Sequence, residues 1–122
     1  MDDGGDDFSS EDARLPADVA VTVSHETPGT CVIEARGEFD LSTVAPLSDA
    51  LAEAARTHSR VVLDASGIRF GDSSLLNLLL RVHRTTDLRI AAPGHQLRNL
   101  FAITGADTVL VVRDSVRSAE QD

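Results

Sequence analysis

The 122-residue chain contains no lysine, tryptophan or tyrosine, and only one cysteine and one methionine. Each absence removes a class of chemistry. Without lysine there is no P-loop phosphate cradle and no Schiff-base enzyme. With aromatics at 3%, all of them phenylalanine, there is no stacking platform for single-stranded nucleic acid. A single cysteine, Cys31, allows no intrachain disulfide. It sits within an expected strand and reads as a small buried hydrophobe. No apolar run approaches the roughly 20 residues of a membrane span, and an acidic start takes the place of the basic region that a secretory signal needs. These readings lead to the expectation of a cytoplasmic protein without membrane contact.

Positive charge is also scarce: eleven arginines face twenty acids, for a net charge of −9. That balance argues against direct nucleic-acid binding, which depends on neutralising phosphates. The excess is uneven. Residues 1–18 carry seven acids and one arginine, whereas the rest carries thirteen acids and ten arginines. The segment from Met1 to about Pro16, rich in Asp, Gly and Ser, reads as a disordered acidic tail. The remaining hydrophobic content suits one folded domain over residues 17–119, followed by a short tail at 120–122.

Periodicity divides that domain. Val19, Val21 and Val23 alternate with small residues and predict a strand, then a loop from Ser24 to Thr30 around Pro28-Gly29, then a second strand over Cys31–Arg36. Ser42 or Thr43 can cap the next helix, and Pro46 suits its first turn. Val44, Leu47, Leu51 and Ala54 form its apolar stripe. Arg60–Ala65, with its unbroken Val61-Val62-Leu63, predicts a strand covered on both faces. A leucine-rich helix follows from Ser73 to about Arg84, then a strand over Leu88–Ala92. A third helix carries Leu97, Leu100, Phe101 and Ile103 and is closed by Gly105. A last strand over Thr108–Val112 precedes a short helix or frayed end. The order β-β-α-β-α-β-α-β implies an α/β fold: a mixed, mostly parallel sheet of about four or five strands with helices packed on it.

The sequence has few candidates for catalysis. Asp64 at a strand end reads as a turn former with Ser66-Gly67. The serines lie outside any G-x-S-x-G elbow, and His83 is too far along its helix to activate Ser74. No two histidines have metal-ligand spacing, so zinc is not expected, and the chain is not expected to be an enzyme. What remains is Asp72-Ser73-Ser74-Leu75, where a strand hands over to a helix. Asp72 is a natural N-cap. The hydroxyls of Ser73 and Ser74 lie at a helix start, where free N–H groups and the dipole tolerate phosphate.

In linear order the chain resembles the STAS family of bacterial anti-sigma factor antagonists. The resemblance rests on Gly37-Glu38-Phe39-Asp40, on Val61 through Ile68 with Phe70, on Asp72-Ser73-Ser74, and on Leu100 through Thr104-Gly105. It covers roughly residues 17–119. It implies that Ser74 is the phosphoacceptor and that Asp40, Asp72, Ser73, Ser74 and Leu75 border the partner-binding surface. The implied partners are an anti-sigma factor that is also a serine kinase of the histidine-kinase-like ATPase type, and a serine phosphatase. The chain departs from the family at Leu75, which stands where the signature has glycine. The alternative expectation is a STAS scaffold or small-ligand-binding module that works without phosphorylation.

Overall fold

The computed structural model describes residues 19–121. The expected acidic tail lies outside them. The elements run β1 (Ala20–Glu26), β2 (Thr30–Phe39), α1 (Ala45–Thr57), β3 (Arg60–Gly71), α2 (Ser73–Thr85), β4 (Asp87–Ala91), α3 (His95–Thr104), β5 (Val111–Arg113) and α4 (Val116–Gln121). The five strands form one sheet in the order β1-β2-β3-β4-β5. β1 pairs antiparallel with β2, and every later pairing is parallel. The expected α/β architecture with a mixed, mostly parallel sheet is what the chain adopts.

Alternation along the strands sorts side chains between two cores. Cys31, Ile33, Ala35, Val61, Leu63, Leu88 and Ile90 point to the face covered by α1, α2 and α3. Val32, Val62 and Ala91 point to the other face, which Val116 and Ala119 of α4 close. The Val61-Val62-Leu63 run is therefore buried on both sides. Cys31 is 2% exposed. Burial, and then the neighbouring Glu26 carboxylate, push its thiol pKa up.

Several boundaries move from their expected places, each for a local reason. β1 continues to Glu26 because a bulge between Val23 and His25 keeps it in register with β2, leaving a tight turn in which the Thr27 N–H donates to the Thr30 carbonyl at 2.9 Å. Ser42 and Thr43 do not cap α1. Its N-cap is Val44, without a side-chain bond, although Pro46 does lie in the first turn. Asp64 does not end its strand. It accepts from the N–H and hydroxyl of Ser66 at 3.1 and 2.8 Å, inside a bulge that sets Asp64 and Gly67 against Glu34 and Arg36. A second shift opposite Gly37 and Glu38 lets β3 run on to Gly71.

On α3, Leu97 and Phe101 are buried but Ile103 is 76% exposed. Six residues past Leu97 it has rotated off the stripe. Gly105 adopts the expected left-handed cap, with φ of 80°. The N–H groups of Thr108, Val109 and Leu110 are then spent in local turns, so the last strand begins at Val111 rather than at Thr108. Glu120 and Gln121, expected in a tail, form the end of α4. The Glu120 carbonyl accepts from Arg60 at 2.8 Å.

Candidate functional site

The junction of β3 and α2 is organised by Asp72. Its backbone is extended, and its Oδ1 accepts from the N–H groups of Ser74 at 2.8 Å and Leu75 at 3.4 Å. Its carbonyl begins the helical ladder by accepting from the Leu76 N–H at 3.0 Å. The expected capping role is thus realised. α2 carries no acid in its first turn, so Asp72 is the carboxylate that meets the positive end of the helix dipole.

Behind this turn the packing is tight. A Cβ on Gly71 would come within 2.3 Å of Leu75 Cδ2 and 2.9 Å of Leu97 Cδ2, so any larger residue there has to push those leucine side chains aside. Gln96, in the first turn of α3, clamps the same residue. Its side-chain nitrogen donates to the Gly71 carbonyl at 2.9 Å, and its oxygen accepts from the Gly71 N–H at 2.8 Å. The sequence reading missed Gln96. A residue that reads backbone 25 positions away leaves no spacing signal.

Asp40 reaches the same end of the sheet by a different route. The Asp72 N–H donates to the carbonyl of Phe39 at 3.2 Å, which places the 40–43 loop beside the start of α2. Asp40 Oδ1 accepts from the N–H and hydroxyl of Ser42 at 2.9 and 2.8 Å. Thr43 Oγ1 accepts from the Asp40 N–H and donates to the Glu38 carbonyl, both at 2.9 Å. The Ser42 hydroxyl, then its N–H, with a smaller contribution from Thr43, hold the Asp40 carboxyl below the usual carboxylate range. Ser42 and Thr43 therefore shape this loop instead of starting a helix.

The structure brings Asp40, Asp72, Ser73 and Ser74 to one end of the sheet. Ser73 is exposed, and Ser74 and Asp72 are half-buried. Leu75 is placed differently from the expectation. It is fully buried against Gly71 and belongs to the main core, so it supports the turn from within and offers no side-chain surface to a partner. Two exposed apolar side chains border the site instead: Leu41, 82% exposed, next to Asp40, and Phe70, 43% exposed, two residues before Asp72.

The profile of a family described as "Mlab, STAS domain" matches residues 23–113. The chain belongs to the STAS domain family. A search of curated proteins finds no sequence match. Among solved structures, an anti-sigma factor antagonist from Mycobacterium paratuberculosis is similar, with a TM-score of 0.76 and 24% identity over 88% of this chain and 96% of that one. The anti-sigma factor antagonist SpoIIAA in its unphosphorylated form gives 0.69 and 20%, covering 83% and 93%. The Bacillus cell fate determinant SpoIIAA in its phosphorylated form gives 0.64 and 20%, covering 83% and 96%. At these identities the likeness establishes the shared STAS fold. Among the described residues, no helix is long and apolar enough to cross a membrane.

Proposed function

We propose that this STAS domain is an anti-sigma factor antagonist. In this reading it binds an anti-sigma factor that is also a serine kinase of the histidine-kinase-like ATPase type, and so releases a sigma factor. Phosphorylation at Ser74 ends the complex, and a serine phosphatase restores it. The observation that carries the reading is the position of Ser74, half-exposed in the first turn of a helix whose N-cap is Asp72. The similar solved structures are antagonists, one in a phosphorylated and one in an unphosphorylated form.

The physics of the site suits a switch that acts on the partner. A phosphate adds roughly −1.5 to −2 charge. At a helix N-terminus its effect on the fold is only about 1 kcal/mol. Asp40 and Asp72 already border the site, so the phosphate turns a mildly acidic surface into a strongly acidic one. A partner carboxylate or apolar patch seated on Leu41 and Phe70 would then be repelled. The chain itself performs no chemistry in this scheme. It supplies a hydroxyl to the kinase and a surface to bind.

Capture of partners by wild type and by Ser74→Asp, with the bound proteins identified by mass spectrometry, tests the proposal. A kinase-like anti-sigma factor held by wild type and lost by Ser74→Asp is the expected result. Identical partners on both baits would favour the second reading, a phosphate-independent STAS scaffold. The feature pointing that way is Leu75 at the position of the signature glycine. Its side chain is buried in the core and so does not lie over Ser74, which is why the switch is preferred.

A further inference from the structure

We infer that Glu26, Cys31 and His58 form a binding site for a thiophilic divalent cation of the zinc class, at the end of the sheet opposite Ser74. The three residues are far apart in sequence, but the topology brings them together. Glu26 and Cys31 are directly paired across the β1–β2 hairpin. His58 caps the C-terminus of α1, and the next two residues fasten that corner to the hairpin turn. Ser59 Oγ and the Arg60 N–H both donate to the Gly29 carbonyl, at 3.1 and 3.0 Å. One donor atom from each of the three residues lies within 4.8 Å of the others. All three line a cavity of about 240 Å³ between the hairpin and α1.

His58 turns Nδ1 toward Thr57 and Nε2 toward Glu26. Thr57 Oγ1 lies 3.1 Å from the Glu53 carbonyl and 2.9 Å from His58 Nδ1, so with its proton on the carbonyl it can accept from an Nδ1–H. In the tautomer that carries its proton on Nδ1, the Nε2 lone pair faces Glu26 Oε1 at 3.0 Å. A proton on Nε2 makes that contact an ordinary hydrogen bond to the carboxylate, and a metal ion can take the proton's place. A metal also engages the Cys31 sulfur in the same cluster, whereas a shared proton does not. Thr57 then acts as the outer partner that fixes the ring of a ligating histidine.

The donor set suits zinc. Thiolate, imidazole and carboxylate are its usual ligands, at about 2.3, 2.0–2.1 and 2.0–2.2 Å. Those lengths put tetrahedral donors about 3.3–3.7 Å apart. Glu26, with its side chain 58% exposed, is free to rotate and close the remaining gap. Binding releases the Cys31 thiol proton to solvent and forms the metal–sulfur bond, leaving the fourth position to water. Such a site would staple the hairpin bearing edge strand β1 to α1.

Titration of the reduced full-length protein with Co²⁺, followed by competition with Zn²⁺, tests this. We expect one Co²⁺ per chain with a thiolate-to-metal charge-transfer band that Zn²⁺ abolishes. Glu26→Gln alters a side chain that is 58% exposed and removes a proposed ligand, so it should weaken binding at least about tenfold, the lower end of what losing an outer partner costs. Cys31→Ser should remove the band. Zn²⁺ should also raise the thermal midpoint of wild type but not of Glu26→Gln. Absence of the band in folded wild type overturns the site. So does a band whose affinity Glu26→Gln leaves unchanged. Co²⁺ bound only to carboxylates elsewhere on this acidic chain gives no thiolate band and overturns it as well. None of these readouts involves Ser74.

Discussion

Asp72 contributes to α2 in two separable ways, as a hydrogen-bond acceptor and as a charge. Its Oδ1 satisfies two of the four N–H groups that a helix start leaves without intrahelical partners. Replacing it with alanine should cost about 1 kcal/mol in urea unfolding, the usual loss for such a cap. Asp72→Asn keeps an equally good acceptor and removes the charge beside Ser74. Its stability should stay within a few tenths of a kcal/mol of wild type. An asparagine variant as unstable as the alanine one would mean that charge, not capping, is what counts. At Gly71 the argument is steric. Gly71→Ala forces Leu75 or Leu97 aside and should cost about 1–3 kcal/mol, as overpacking does. The cap was legible in the sequence because N-capping follows local spacing. The burial of Leu75 was not, because it depends on a glycine four residues back and on Leu97 from another helix.

At the scale of elements, the seam between β3, β4 and α4 depends on Asp87. Arg89 donates to its carboxylate at 2.9 and 3.2 Å, and Arg60 donates at 2.9 Å. Arg60 also reaches the Glu120 carbonyl in α4. The hydrogen bond from Arg89 is the largest influence holding the Asp87 carboxyl below its ordinary value. The bond from Arg60 adds to it, and partial burial opposes both. A carboxyl depressed in the folded state contributes stability above its unfolded pKa of about 3.9, and that stability disappears as pH falls through the lower folded value. Asp87→Asn should therefore lower the thermal midpoint at pH 7, and the gap from wild type should close as the pH falls below about 4. A gap that persists unchanged in acid would show that packing, not ionisation, is at stake. No periodicity announces this cluster. Asp87 and Arg89 are two apart, but Arg60 and α4 join them only through the parallel pairing of β3 with β4. The Glu26–Cys31–His58 cluster was hidden for the same reason. A search for closely spaced histidines passes over ligands that meet only across a hairpin and a helix end.

For the molecule as a whole, the two-sided burial of the central strands makes α4 the element most exposed to a decisive test. The sequence announced that burial: Val61-Val62-Leu63 has no polar face, so helices must cover both sides of the sheet. It did not say what covers the second side, because Val116 and Ala119 are too few to form a recognisable stripe. In the fold, Ala119 is fully buried and, with Val116, closes over Val32, Val62 and Ala91. Ending the chain after Ser115 would uncover two valines that are worth about 1.5–3 kcal/mol each when fully buried. It would also remove the carbonyl that Arg60 holds. Because neighbouring side chains would still shade those valines, the expected loss is about 2–4 kcal/mol in urea unfolding, with the apolar face now open to self-association. The Ser74 region lies at the carboxyl end of β3, in the first turn of α2, whose buried side chains belong to the core on the other face of the sheet from α4. Provided the truncated chain is still folded at low temperature, it should therefore retain the partner that wild type captures there. Loss of that partner from a chain whose circular dichroism is intact would mean that α4 belongs to the binding surface and is more than a cover for the sheet.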